Sequence, residues 1–256
     1  MTAPVDLSIS SGVAVLTLNA PTRRNVLAAP MVAAIGAAVT AAETDPTVRC
    51  LVVTGAGPAF CAGAELDTLE RSAAGDFDSV RAVYDGFLRV LRTPLPTIAA
   101  VNGPAVGAGF NLALACDVRI AASGATFDTR FAALRLHPGG GHTWLLSRAV
   151  GHQQAMLACL FGQRWSAQQA LSSGLVAEVV PQEDLQSAAL GLGARLSGQE
   201  GDFTRRLTAT LRQASAGETY EAILTRETEA QQWSVTRPIF VENVRTLREQ
   251  ISSRPS

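Results

Sequence analysis

The sequence predicts an α/β core followed by a helical C-terminal part, on three observations. Alternating apolar residues open the chain as a β-hairpin: Val5, Leu7 and Ile9, then Ser11-Gly12, then Val13, Val15 and Leu18. From there to Val180, short apolar strands alternate with amphipathic stretches of helical period. From Glu183 on the pattern is helical, and Pro238 stands where a last helix would start. Strands first, βα alternation between and helices last define the class.

Each element follows in turn. Pro21 to Asn25 is a polar loop. A helix from about Pro30 gathers Met31, Ile35, Ala38, Val39 and Ala42 on one face. Arg49 to Thr54 is a continuous apolar strand, the kind buried on both faces. The loop Gly55-Ala56-Gly57-Pro58 leads into Ala59 to Leu66. Residues 70–76 read as polar and mobile. A helix then carries Phe77, Val80, Tyr84, Phe87, Leu88 and Leu91 on one stripe and stops before Pro94 and Pro96. Thr97 to Val101 is a buried strand, and Asn102-Gly103-Pro104 breaks it. Gly107-Ala108-Gly109 opens a helix that continues through Leu112, Leu114 and Ala115. Val118 to Ala121 is a further strand. Phe127 to Leu136 is amphipathic without a clear period. His137 to His142 is a loop, and Thr143 starts a helix containing Trp144, Leu145 and Leu146. Ser166 caps another helix, Gly174 ends it, and Val176 to Val180 is the last strand.

The 256 residues are 47% hydrophobic and 17% charged, enough for one large domain or one domain with a small appendage. A net charge of -1 favours neither nucleic acid nor an anionic membrane as partner. The opening MTAPVDLSIS lacks a basic region followed by an apolar core, so no secretory signal is expected. Ile98 to Cys116 has nearly the length of a membrane span, but Asn102, Pro104, Asn111 and its glycines make it a buried core. Cys50, Cys61, Cys116 and Cys159 lie far apart in apolar surroundings. They suit reduced core positions in a cytoplasmic protein rather than disulfides or a metal site. Lysine is absent, so a Schiff base is excluded and a phosphate must meet arginine or backbone N–H groups.

The stretch from Thr97 to Asp117 has the order strand, glycine turn, helix. The first N–H groups of a helix lack partners within it and sit at its positive end, which suits an anion. Glycines there also serve plain strand–helix packing, so both readings stand on this stretch alone. A dinucleotide fingerprint fails, because its third glycine falls on Leu112.

Several segments together resemble the crotonase (enoyl-CoA hydratase/isomerase) superfamily. They are RRNVL (Arg23 to Leu27), AFCAGAEL (Ala59 to Leu66), PTIAAVNGPAVGAGFNLALACDVRIAA (Pro96 to Ala122), HPGGGHTWLL (His137 to Leu146) and RWSAQQALSSGLVAEVV (Arg164 to Val180). The resemblance covers roughly residues 5 to 190. It implies a spiral of ββα units over 1–195, carrying an acyl-CoA site. A helical region over 196–256 would mediate trimerisation, as a homotrimer or a dimer of trimers. The partner is an acyl-CoA thioester; coenzyme A belongs to the substrate, and no separate cofactor is expected. Two backbone N–H groups would receive the thioester oxygen, those of Ala64, after Gly63, and Ala108, between Gly107 and Gly109. CoA would be bound by Arg24, Asn25, Val26, Ala62, Ala64, Glu65 and Leu66, and Gly107, Gly109, Asn111 and Phe131 would also belong to the substrate-binding set. Glu65 stands where the family usually has aspartate, and a structural job bonding loop N–H groups is expected for it.

The chain departs from this family at its acid–base positions. The two glutamates of the hydratases align with Asn111 and Phe131. Asparagine is no base near neutral pH and phenylalanine moves no proton. His137, His142 and Asp128 are the alternative acid–base candidates. His142 would be held neutral at a helix start, or would merely cap that helix. Cys61 reads as core packing, Trp144 as pocket lining or helix packing, and His152 as a cap. The resulting expectation is an enoyl-CoA hydratase or isomerase by resemblance. The alternatives are a His-assisted isomerase, hydrolase or decarboxylase, an acyl-CoA-binding protein that has lost the chemistry, and a trimeric scaffold.

Overall fold

The computed structural model describes residues 3–252. Strands β1 (Val5–Ser10) and β2 (Val13–Leu18) form the antiparallel hairpin. Ser11 and Gly12 both take positive φ, 50° and 77°, the turn whose twist matches that of the flanking strands. Helix α1 (Ala29–Thr44) follows with the expected buried face. Then come β3 (Cys50–Gly55), α2 (Leu66–Ala73), α3 (Phe77–Leu91) and β4 (Thr97–Val101). The short strand β5 (Ala105–Val106) precedes α4 (Ala108–Leu114). β6 (Val118–Ala122), β7 (Thr126–Asp128) and α5 (His142–Cys159) complete the site-bearing part. β8 (Trp165–Ser166), α6 (Ala167–Ser172), β9 (Glu178–Val180) and α7 (Leu185–Ala194) close the sheet.

Six strands form one sheet in the order β1-β2-β3-β4-β6-β9, parallel throughout except at the β1–β2 edge. β5, β7 and β8 form a second, small sheet. The succession β1β2α1, β4β5α4 and β6β7α5 is a repeated ββα winding. The inner strands β2, β3 and β4 are buried on both faces, which is why they are apolar almost without a break. Leu16, Leu51, Val53, Ala99, Val101 and Ala121 point to the side packed by α1, α3 and α4. Val15, Cys50, Val52, Ile98, Ala100 and Ile120 point to the other side, covered by Leu185 and Ala189 of α7.

Local differences from the sequence reading have simple causes. Residues expected to be mobile and polar include the end of α2, whose Thr68 is buried while its other face is solvated. The periodless stretch after Phe127 is a strand of three residues followed by a short 3-10 turn at Ala132–Leu134. α5 starts at His142, one residue early, and breaks at Gly151 (φ 78°, ψ 167°), so His152 opens a second helical segment. Trp144 is exposed, with the Arg148 guanidinium of the same helix 4.4 Å from its ring centre. No described helix is long and apolar enough to cross a membrane.

The chain divides into two compact units after Gly201. Arg49 holds the end of the first unit by donating to the Gln199 carbonyl at 2.8 Å. The second unit contains α8 (Gly201–Ser215), α9 (Tyr220–Val235) and α10 (Pro238–Ser252). Within it the Arg206 and Arg237 guanidiniums lie over Trp233, 4.4 and 5.2 Å from the ring centre.

Candidate active site

The site starts from two asparagines that pin a loop. Fully buried Asn25 accepts from the Ala20 N–H (2.9 Å) and donates to the Ala56 and Ala59 carbonyls (2.9 and 2.8 Å). Asn102 accepts from the Gly55 N–H (3.1 Å) and donates to the Gly57 carbonyl (3.0 Å). Buried polar groups of this kind must be satisfied, and satisfying them fixes the path of residues 55–60. The Asn25 side chain therefore holds the loop that leads to the cleft.

The segment beyond that loop is stitched to the central stretch. Cys61 pairs with Ala105 in a parallel bridge: the Cys61 N–H donates to Pro104 (3.2 Å), and the Val106 N–H donates to Cys61 (3.0 Å). The Ala62 N–H donates to Arg24 (2.9 Å), and the Leu27 N–H to Gly63 (2.8 Å). At the other end, Thr97 and Asp117 clasp each other. The Thr97 N–H and hydroxyl both donate to the Asp117 carboxylate at 2.8 Å.

Glycine is required where the two loops meet. Gly63 takes φ 96°, and a Cβ there would stand 2.7 Å from the Val106 carbonyl oxygen and 3.5 Å from the Ala108 nitrogen. A Cβ on Gly109 would collide with the Cys61 carbonyl. Gly107 (φ 53°) anchors the turn through its N–H, which donates to Asp128 at 2.9 Å. The N–H groups of Ala64 and Ala108 follow directly on Gly63 and Gly107. Neither has an acceptor among the described residues.

Both alanines line one cleft with about 700 Å³ of empty space, open to solvent at its mouth. Ala62, Gly63, Val106 and Gly107 form its floor. Leu66, Leu69, Val80, Val83 and Tyr84 come from α2 and α3, and Asn111, Phe131, Leu134 and Gly139 from the opposite side. The lining contains no carboxylate and no imidazole.

The acid–base candidates are placed as follows. Asp128 does not line the cleft; its carboxylate pairs with Arg130 at 2.9 Å and accepts the Arg130 N–H at 2.8 Å. His137 is exposed, outside the lining, and its Nδ1 lies 2.7 Å from the Pro138 carbonyl. His142 is buried directly behind Asn111, its Nδ1 2.5 Å from the Asn111 side-chain oxygen. Asn111 Nδ2 donates to the Gly139 carbonyl at 3.1 Å. That bond assigns the amide, so Nδ1 of His142 carries the hydrogen. Its Nε2 is a bare acceptor with no partner. Burial pushes the His142 pKa down to about 4. The imidazole is neutral, as expected, and burial at the first residue of α5 lowers its pKa.

Glu65 forms an ion pair with Arg23, not bonds to loop N–H groups. Arg24 is exposed in the left-handed region (φ 51°), Val26 is half-buried beside it, and Leu66 is exposed at the cleft. Burial pushes the Cys61 thiol up to about 12, so it is inert packing. Among the described residues no cluster of metal-ligating side chains occurs. The sequence reading missed Leu69 and Val83 of the cleft wall. It set Tyr84 on an apolar stripe, where that periodicity does not distinguish a wall facing a cleft from one facing the core.

Two unpartnered N–H groups at glycine turns thus open on one largely apolar cleft. The family model described as Enoyl-CoA hydratase/isomerase matches residues 8–238. The chain is 50% identical over 211 residues to the "Probable enoyl-CoA hydratase EchA14" of Mycobacterium tuberculosis, covering 82% of this chain and 81% of that one. It is 41% identical over 196 residues to the 1,2-epoxyphenylacetyl-CoA isomerase of Escherichia coli, covering 75% of each. A crystal structure of an enoyl-CoA hydratase subunit from Geobacillus kaustophilus superposes with a TM-score of 0.89 at 30% identity, covering 99% of this chain and 97% of that one. The chain belongs to the enoyl-CoA hydratase/isomerase family, the crotonase superfamily, and has its fold.

Proposed function

We propose that this protein binds an acyl-CoA and polarises its thioester, with the thioester oxygen received by the Ala64 and Ala108 N–H groups. Loss of an α-proton puts negative charge on that oxygen, and fixed donors in a cleft stabilise it without reorganising. The carrying observation is that both donors lack protein partners and line one cleft. Coenzyme A enters as part of the substrate, with its phosphates met by exposed Arg24. Hydration by paired glutamates is not the proposed route, because Asn111 and Phe131 occupy those positions. Enolate chemistry such as isomerisation or α-proton exchange is, with water admitted through the open mouth of the cleft taking up the α-proton, because the lining holds no carboxylate and no imidazole. The same absence of carboxylate and imidazole from the lining favours a second reading, an acyl-CoA-binding protein without turnover.

The resemblance also carries an assembly, a homotrimer or dimer of trimers. The exposed apolar residues Ile239, Val241, Leu247 and Ile251 of α10 support burial against another copy. Incubating short, medium and long 2-enoyl-CoA thioesters with the protein in heavy water, with mass spectrometry of the products, tests the function. Deuterium exchange or double-bond migration well above background is expected. Tight binding without either establishes the second reading, and rapid water addition refutes the proposed route.

A further inference from the structure

We infer that Tyr84 and Asn111 together recognise an oxygen carried by the acyl group beyond the thioester, so that the substrate is an oxygenated acyl-CoA rather than a plain hydrocarbon one. This rests on the acyl-CoA reading above. The wall around them is apolar, with Val80, Val83, Phe131 and Leu134, and a hydrocarbon chain needs nothing more. A polar group facing such a wall loses water on binding and is penalised unless the ligand supplies a partner.

The polar side chains of the cleft differ in what they have to give. Thr129 donates its hydroxyl to the Ala158 carbonyl at 3.0 Å. Arg130 is paired with Asp128. The Tyr84 hydroxyl has no hydrogen-bond partner among the described residues; its ring lies beside that of Phe87, 5.8 Å between centres. The Asn111 amide gives one hydrogen to Gly139 and has a second with no acceptor.

These two groups meet at the same residue. Asn111 bonds the Gly139 carbonyl, and a Cβ on Gly139 would collide with the Tyr84 hydroxyl. A Cβ on Gly140 would collide with the Phe87 ring. A side chain at 139 would thus displace the tyrosine hydroxyl and one at 140 the Phe87 ring, so glycine at 139 leaves room for the hydroxyl at the residue that Asn111 bonds. His142 fixes the orientation: its Nδ1–H bonds the Asn111 side-chain oxygen, so the amide turns its N–H end towards Gly139. An N–H donor next to a free hydroxyl fits a hydroxyl, keto or ether oxygen. Among the described residues, the one cation at the cleft that an acyl carboxylate could meet, Arg130, already pairs with Asp128.

The test is calorimetric binding of hexanoyl-CoA and of its derivatives hydroxylated singly at carbons three to six, with wild type, Tyr84→Phe and Asn111→Leu. One hydroxylated ligand is expected to bind about tenfold more tightly than hexanoyl-CoA, the size of one net hydrogen bond. Tyr84→Phe is expected to remove most of that preference. It keeps the ring, and the hydroxyl it deletes bonds nothing in the protein. Asn111→Leu should do the same if it stays folded. Equal binding of all ligands by wild type, or a preference that survives Tyr84→Phe, overturns the inference and leaves the acyl-CoA reading intact. Failure of every thioester to bind overturns both.

Discussion

At the scale of single residues, the proposed site depends on main-chain atoms, and its tests must remove those atoms. Ala108 is the first residue of α4, where proline fits a helix and its missing N–H breaks no helical bond. Ala108→Pro should therefore leave the fold in place, as circular dichroism and thermal unfolding would show, and lower α-exchange about 10²–10³-fold. Unchanged exchange would refute the role given to that N–H. Arg24 is tested by ligand dissection. Arg24→Ala should weaken binding of a CoA thioester several-fold more than that of the matching pantetheine thioester, which lacks the nucleotide phosphates. Equal losses would deny it a phosphate. Residue type and position beside the glycine loop suggested His137 and His142 as acids or bases, and nearness to the aligned position of Phe131 suggested Asp128. The cleft contains none of them, because placement depended on which side chains already had partners. Asp128 is engaged by Arg130, and His142 by Asn111.

At the scale of elements, the sequence was most legible where period and punctuation agreed. The hairpin, α1, β3, β4 and α4 fall where apolar spacing and glycine or proline breaks put them. The small sheet of β5, β7 and β8 was not legible, since strands of two or three residues have no period to read. α2 was hidden because only Thr68 on it is buried. The glycines of the central stretch left packing and ligand approach as alternatives, and the structure gives them different jobs. Gly109 serves packing, since its α-carbon lies against the Cys61 carbonyl. Gly109→Ala should force α4 away from that loop, destabilise the protein by about 1–3 kcal/mol in urea unfolding, and lower exchange further than stability alone explains. Gly36→Ala in α1, where nothing lies within 4 Å of the new methyl, is the control. It should stabilise by about 0.5–1 kcal/mol.

At the scale of the whole molecule, the two-sided burial of the sheet was legible from unbroken apolar strands. The pH response was not, because it follows from the burial of one imidazole that sequence placed in a loop or at a helix start. His142 lies edge-on to Phe110 and Phe131, with ring centres 5.4 and 5.1 Å away, and nothing there stabilises a second ring proton. Its pKa falls from 6.5 to about 4 on folding. Between those values the unfolded chain binds a proton that the folded chain refuses. Stability from this group is therefore complete above about pH 6.5 and is lost as pH falls towards 4. The total is about 3 kcal/mol at 1.36 kcal/mol per unit. His142→Asn keeps a side-chain N–H for Asn111 and cannot titrate. It should be less stable at pH 7, having lost the ring contacts, yet lose about 3 kcal/mol less than wild type between pH 7 and 4. Carboxylates common to both proteins cancel in that difference. Urea unfolding at pH 7, 5.5 and 4 measures it, and parallel pH profiles for the two proteins would show that His142 is not held neutral by burial.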